Sequence, residues 1–160
     1  MNTGIDVTVA AVVESSGRFL VVEERVAGEL VFNQPAGHLE HGESLVEAVI
    51  RETLEESAWA FEPAAVTGIY LWSVPDTDRT FLRVAFSGDC RGHDPDRALD
   101  DGIVRATWLT REQLAARSAR LRSPMVLRCI DDYTAGIRYP LDVLTQLDSL
   151  PEAQQRIASR

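Results

Sequence analysis

Three glutamates at positions 52, 55 and 56 are spaced so that they share one face of a helix. At about 100° per residue, positions i, i+3 and i+4 lie side by side. Like charges at these spacings repel each other, and Arg51 can neutralise only part of the set. One interpretation is a solvated acidic face. The other is a site for a hard divalent cation such as Mg²⁺, which takes oxygen ligands and is usually completed by substrate phosphates.

The segment before this helix favours the metal interpretation. Glycines stand at both ends of the loop 37–42, and Glu43 follows at the start of the helix. Glycine lets the backbone approach a ligand closely and offers its carbonyl to a metal. A helix N-terminus also favours an anion such as phosphate. The loop and the helix together therefore predict a place where a metal ion and a phosphate meet.

The helix that carries the glutamates is predicted to run from Ser44 to about Ser57. Ser44 and Glu47 have the spacing of a capping box, in which two side chains satisfy backbone N–H groups at the helix start. Apolar and small side chains recur at helical spacing and are expected to face the core, opposite most of the acidic face. These residues are Val46, Val49, Ile50, Thr53 and Leu54.

Strands and further helices alternate with this element along the chain. Alternating and continuous apolar runs predict strands at 7–13 and 19–22, paired as a hairpin, and an extended segment at 31–40. Further strands are predicted at 66–74, 80–88 and 104–109, an exposed loop at 89–102, and helices opening at 110 and at 123–124. This order predicts an α/β or α+β protein with a mixed sheet covered by helices.

The length and charge of the chain limit the classes of function. Its 160 residues predict one domain, at 1–150, followed by a polar C-terminal tail at 151–160. The net charge of −9 argues against binding to a nucleic acid duplex. All 16 basic residues are Arg, so a Walker-A loop, which needs its Lys, is excluded. No apolar run predicts a membrane span, and two cysteines without a signal peptide predict a cytoplasmic protein.

The spacing of these residues resembles the signature of the Nudix hydrolases. Gly37, Glu43, Arg51, Glu52 and the pair Glu55–Glu56 match one Gly, four Glu and one Arg over 23 positions, a very specific pattern. Two positions differ from the usual box: Ala58 replaces a Gly, and Thr53 stands where a larger aliphatic residue is common. Segments outside the box, over about residues 6–144, resemble the NudJ-type subgroup of bacterial phosphatases.

This resemblance implies a fold and an activity. The fold is the Nudix α/β/α sandwich with a mixed central sheet, in which the box forms a loop-helix-loop. The activity is Mg²⁺-dependent hydrolysis of diphosphate linkages, with Mn²⁺ as an alternative ion. The subgroup implies nucleoside tri- and diphosphates as substrates, thiamine-type or hydroxymethylpyrimidine pyrophosphates as a further class, and orthophosphate as the product.

The resemblance also assigns roles to residues of the box. Glu52, Glu55 and Glu56 match the family's metal ligands, and Glu52 either binds the metal or takes the proton from the attacking water. Glu43 is a further ligand around the metal site or an alternative base. Arg51 resembles the arginine that orients the glutamates by ion pairing. A main-chain carbonyl, that of Ala36 or Gly37, is expected to complete the metal site.

Outside the box the expectations concern the substrate. Arg83 and Arg122 are candidates to hold phosphate oxygens, against a structural ion pair for each. Trp72 is a candidate to stack on a base, although strand aromatics are often core residues. Gln34 is also expected to bind substrate. Asp100 and its neighbour lie where some family members supply a distal acid, but each taken singly is expected to be a solvated loop acid.

Other interpretations of the same residues stay open. One keeps the box and changes the substrate, to ADP-ribose, a dinucleoside polyphosphate or a capped nucleic-acid end. Another is a Nudix-like module that binds a nucleotide without hydrolysing it, although no box glutamate is lost. The last is a structural acidic domain, in which changing Glu55 or Glu56 to Gln would be neutral or slightly stabilising. The expected assembly is a monomer or a small homo-oligomer.

Overall fold

A mixed four-stranded sheet forms the centre of the computed structural model, which describes residues 4–147. Its strand order is β5-β1-β7-β6, and β1 and β7 run parallel while the outer pairs are antiparallel. The strands are β1 (Ile5–Val12), β5 (Ala36–His38), β6 (Ala60–Ser73) and β7 (Thr80–Arg91). The predicted mixed sheet is confirmed. The predicted exposed loop at 89–102 was wrong at its start, because β7 continues through Arg91.

A second sheet packs beside the first and is built around β3 (Arg18–Val26). This strand pairs antiparallel with β2 (Glu14–Ser15), β4 (Glu29–Asn33) and β8 (Ile103–Leu109). The predicted hairpin between 7–13 and 19–22 was therefore wrong, because the short β2, which follows β1, pairs with β3 in place of β1. β1 instead joins the first sheet, since its continuous apolar run is buried from both sides.

The box helix forms as its sequence predicts. α1 (Leu45–Ser57) begins at Ser44, whose side chain accepts from the N–H of Glu47 while the Glu47 carboxylate accepts from the N–H of Ser44. The helix ends at Ala58, which has φ 58° and ψ 18°. This left-handed conformation costs an alanine more than a glycine, so the box helix keeps its usual exit at an energetic cost.

Two apolar clusters lie on opposite faces of the central sheet and define three layers. On one face α1 packs its Ala48 and Val49 against β1 and β7. On the other face α3 (Met125–Thr134) packs its Cys129 and Ile130 with α2 (Arg111–Ala115). Two short 3₁₀ turns lie at Ser118–Arg120 and Leu141–Val143. The predicted α/β/α sandwich is confirmed.

The buried face of α1 differs from the predicted one. Ile50 is 37% exposed, whereas Glu52 and Glu56 are 8% and 9% exposed. The helix is thus rotated so that Glu52 and Glu56 lie against the first sheet together with Val49 and Thr53. Helical periodicity predicts which residues share a face, but the neighbouring sheet selects the face that is buried.

No helix within residues 4–147 is long and apolar enough to cross a bilayer. The end of the predicted domain at 148–150 and the predicted tail at 151–160 lie outside the described residues.

Candidate active site

Arg51 is the central cation of the box. Its Nε and Nη2 bind both carboxylate oxygens of Glu43, at 3.0 and 2.6 Å. Its Nη1 donates to Glu52 at 2.9 Å and to Glu55 at 3.2 Å, and Nη2 also donates to the carbonyl of His38 at 3.1 Å. One guanidinium therefore orients three of the four box glutamates. These hydrogen bonds raise the pKa of Arg51 and lower that of Glu43.

Three carboxylates, called the trio below, lie close together beside this arginine. Oxygens of Glu52, Glu55 and Asp100 all lie within 4.8 Å of one another. The backbone N–H of Asp100 donates to the carbonyl of Glu55 at 3.0 Å, which attaches the 92–102 loop to α1. Because hard divalent cations take carboxylate oxygens, the trio fits a Mg²⁺- or Mn²⁺-type ion.

Asp100 is a residue outside the box that the structure brings beside the glutamates. It was expected to be a solvated loop acid when taken singly, and its side chain is indeed exposed, yet it stands beside Glu52 and Glu55. Its position depends on a contact between a loop and a helix far apart in sequence. The Asp-rich composition of 89–102 was a signal for a loop, but it could not select this aspartate.

Glu56 is buried to about the same extent as Glu52 and faces the strand before the helix. Its Oε2 accepts from the N–H of Ala36 at 2.9 Å. Burial raises the pKa of Glu56 to about 8, against the Ala36 hydrogen bond, and the charges of Glu52, Glu24 and Asp100 raise it further. Glu56 thus holds a proton near neutral pH unless a cation compensates its charge.

Gly37 lies where β5 passes the box helix. A Cβ on this residue would overlap the carboxylate of Glu52. The glycine is therefore needed for space, to let the backbone lie directly against a buried acid. Burial raises the pKa of that acid, Glu52, while its hydrogen bond to Arg51 acts in the opposite direction. The backbone of Gly37 is thus close to the trio, as a carbonyl ligand requires.

A cavity of about 400 Å³ opens from this carboxylate site. Glu52 belongs to both, so the cavity and the trio form one continuous site. Three of the four residues predicted to bind substrate line the cavity, namely Trp72, Arg83 and Arg122. Gln34 is 1% exposed and is buried between Arg83 and α3, where it donates to the carbonyl of Val126 at 2.7 Å. Gln34 therefore lies behind the cavity wall, where it holds Arg83 and does not itself line the cavity.

The cavity has an aromatic wall made of Trp72 and Phe81. Their rings are stacked, with centroids 6.0 Å apart and planes 19° from parallel. The two residues face each other across the β6–β7 pair, and both are half-buried. Such a wall suits a flat heterocycle. Phe81 was not selected from the sequence, because only the strand register brings it beside Trp72.

Arg83 lies on the same side of β7 as Phe81 and is 4% exposed. Its Nη1 donates to Oε1 of Gln34 at 3.2 Å, and its Nη2 donates to Oδ1 of Asn33 at 3.3 Å. Burial lowers the pKa of this guanidinium. Two neutral amides thus orient a buried cation at the cavity wall.

The raised pKa of Glu56 predicts how stability depends on pH in metal-free protein. The folded-state pKa of about 8 lies above the ordinary 4.5, so protonation of Glu56 favours the folded state. This contribution is complete below about pH 4.5 and is lost as the pH rises through about 8.

Glu56→Gln removes the buried charge. In EDTA it should raise the Tm by at least about 3 °C at pH 8.5 and by less than about 1 °C at pH 4. Melting curves that differ equally at both pH values would contradict the prediction.

The fold and the site together define a hydrolase of the Nudix class. The NUDIX domain model matches residues 3–129, and the chain belongs to this family. It is 41% identical over 138 residues to the protein called Phosphatase NudJ in Escherichia coli strain K12, covering 86% of this chain and 89% of that one. Phosphatase NudJ of Shigella boydii shows the same identity and coverage.

A solved structure gives the same result. A Nudix hydrolase from Nitrosomonas europaea superposes with a TM-score of 0.89 and is 49% identical, covering 92% of this chain and all of that one. The family and these relatives establish a hydrolase that acts on phosphoanhydride bonds.

Proposed function

We propose that this protein is a Mg²⁺-dependent phosphatase of nucleoside tri- and diphosphates that releases orthophosphate. Thiamine-type and hydroxymethylpyrimidine pyrophosphates form a second substrate class of the same proposal, and Mn²⁺ is the alternative ion. The observation that carries it is the continuity of the carboxylate trio with a cavity that holds two arginines and an aromatic wall. The Escherichia coli relative is called a phosphatase, which supports the same class.

The carboxylates of Glu55 and Asp100 would hold the cation, with Glu52 beside them and Glu56 binding once it has lost its proton. The carbonyl of Gly37 or Ala36 would complete the set. A bound Mg²⁺ neutralises phosphate charge, lowers the pKa of a water molecule and stabilises the leaving oxygen. Arg51 keeps the carboxylates oriented, which is a positioning role.

The choice of base between Glu52 and Glu43 follows from their surroundings. Glu43 is bound through both oxygens to Arg51, and its Oε1 also accepts from the N–H of Glu40 at 2.8 Å, so its pKa is lowered. Glu52 lies in the cavity and its pKa is raised by burial. A group with a raised pKa accepts a proton more readily near neutral pH. We therefore assign the base to Glu52 and an orienting role to Glu43.

The proposal also covers the setting of the enzyme. A cytoplasmic location is supported by Cys90 and Cys129, both free thiols in the structure. The substrate is a small molecule, since the net charge of −9 opposes a nucleic acid duplex. A monomer or small homo-oligomer stays a prediction, and size-exclusion chromatography with light scattering would test it.

Phosphorus NMR of the reaction products tests the proposed activity. GTP, GDP and thiamine pyrophosphate are incubated with the protein and Mg²⁺, and with the protein in EDTA. Orthophosphate from several substrates, formed only with the metal, is the expected result. Pyrophosphate from the triphosphates would move the cleavage site and contradict the phosphatase assignment.

Two other outcomes correspond to the alternative functions. Hydrolysis of ADP-ribose or a dinucleoside polyphosphate, with no product from the nucleotides above, would change the substrate class. Nucleotide binding without any product would identify a sensing module. Either result would replace the proposed activity.

A further inference from the structure

Two charged residues that line the cavity each carry a buried polar atom with no hydrogen-bond partner within residues 4–147, one a donor and the other an acceptor. The two atoms are Nε of Arg83 and Oε1 of Glu24. Both atoms are almost completely shielded, and Arg83 is only 4% exposed. Buried polar atoms are satisfied in the great majority of cases, so each such exception calls for an explanation.

The orientation of Arg83 is set by two amide side chains. Nη2 donates to Asn33 and Nη1 donates to Gln34, whereas Nε is a nitrogen without a partner in the described part of the chain. Gln34 is in turn held by the carbonyl of Val126 on α3. A guanidinium fixed at two of its nitrogens presents the N–H of the third, Nε, in a constant direction, which is what recognition of a ligand requires.

Glu24 lies on β3, on the other sheet, and lines the same cavity. Nε of Arg122 is 3.5 Å from its Oε1, close enough for charge attraction but not a hydrogen bond. Glu24 and Arg83 also lie close enough for each charge to affect the pKa of the other. The cavity thus combines an acceptor, a donor and the stacked Trp72–Phe81 wall.

We propose that Glu24 and Arg83 bind the edge of the substrate's nitrogen heterocycle. Glu24 accepts from an N–H of the ring or its amino group, and Arg83 donates to the neighbouring ring nitrogen or carbonyl oxygen. The ring itself stacks on the Trp72–Phe81 wall. This inference rests on the proposed function and names the part of the substrate that the cavity selects.

A heterocycle fits these groups better than a phosphate does. A fully ionised phosphate has only acceptor oxygens, so it would leave the Glu24 acceptor unsatisfied and place like charges together. The edges of nucleobases and of aminopyrimidines carry a donor next to an acceptor, which satisfies both protein atoms at once. The ligand class is therefore a pyrophosphorylated base with an N–H, from either a nucleotide or an aminopyrimidine.

Kinetics of Glu24→Met test the proposal, because Met has a similar size and no strong acceptor. KM for nucleoside triphosphates should rise by about 10- to 100-fold, since a site built for a polar group loses affinity steeply when the hydrogen bond is removed. The inhibition constant of inorganic pyrophosphate, which has no base, should change by less than about twofold. Glu24→Gln keeps an acceptor and should restore most of the affinity. Hydroxymethylpyrimidine pyrophosphate as substrate distinguishes the aminopyrimidine from the nucleotide source.

The matched control is Glu29→Met, an exposed glutamate on the same hairpin. It should leave both constants unchanged. An equal rise in KM and in the pyrophosphate inhibition constant would mean that Glu24 and Arg83 serve the phosphates, and would overturn the proposal. Unchanged constants in Glu24→Met would overturn it as well.

A binding measurement separates this inference from the proposed hydrolysis. Calorimetric titration with nucleoside monophosphates in EDTA needs no turnover. Weaker binding by Glu24→Met than by Glu29→Met supports base recognition even if the wild type hydrolyses none of the tested compounds, a result that would contradict only the proposed function. Equal binding by the two variants overturns the inference whatever the activity.

Discussion

Glu55→Gln is expected to lower kcat by on the order of 10³ while leaving the fold intact. The Glu55 carboxylate lies in the trio with Glu52 and Asp100, so the amide removes one charge from the cation site. A bound metal contributes several kcal/mol of transition-state stabilisation. Each loss of about 1.4 kcal/mol lowers the rate tenfold. Hydrolysis of GTP at saturating substrate and Mg²⁺ measures the effect.

Calorimetric titration with Mg²⁺ measures the first step of the same prediction. Affinity for the ion should fall at least about tenfold in Glu55→Gln. The matched control is Glu62→Gln, which changes an exposed glutamate paired with Arg91 at 3.2 Å. Asp100→Asn should give a smaller loss than Glu55→Gln, because Asp100 is exposed and stands on a loop. Full activity of Glu55→Gln would favour the solvated acidic face over a metal site.

Gly37→Ala is expected to abolish most of the activity at a modest cost in stability. The added Cβ would occupy the volume of the Glu52 carboxylate, which is buried and held by Arg51. The carboxylate must move, and misplacement of a reacting group by about 1 Å can cost 10²-fold in rate. We expect kcat to fall about 100-fold or more. The circular dichroism spectrum should remain that of the wild type.

Gly28→Ala serves as the control, because it should lower the stability of the protein and leave its activity unchanged. Gly28 has φ of +88° in the β3–β4 turn, and, its own chain neighbours aside, no atom of residues 4–147 lies within 4 Å of its added Cβ. An alanine is strained there by backbone conformation, so the free energy of unfolding should fall by about 1 kcal/mol. Its kcat should match the wild type. A loss of stability in Gly37→Ala as large as its loss of activity would indicate a folding defect instead of a displaced Glu52.

The prediction for Glu56 distinguishes a metal-binding acid from one that belongs only to a solvated acidic face. The structural interpretation of the acidic face also expects Glu56→Gln to be neutral or stabilising. Only the metal interpretation expects the stabilised variant to lose hydrolysis as well. A variant that melts at a higher temperature in EDTA and turns over slowly with Mg²⁺ would show that the buried charge is retained for function.

The sequence by itself determined the box and its local geometry. Ser44 and Glu47 specify where α1 starts, and a period of 3.6 residues places the glutamates on adjacent positions of the helix. These are interactions within one turn, so they need no knowledge of the rest of the chain. The same local pattern was sufficient to identify the family, because the spacing of six residues in the box is so specific.

Only the tertiary structure decided which face of that helix is buried and which distant residues join it. The packing of α1 against the sheet buries Glu52 and leaves Ile50 exposed, against the hydrophobic pattern. Asp100 reaches the trio through a backbone hydrogen bond to Glu55. The strand register aligns Phe81 with Trp72. Each depends on pairing between segments far apart in the chain, and local propensity carries no information about such pairing.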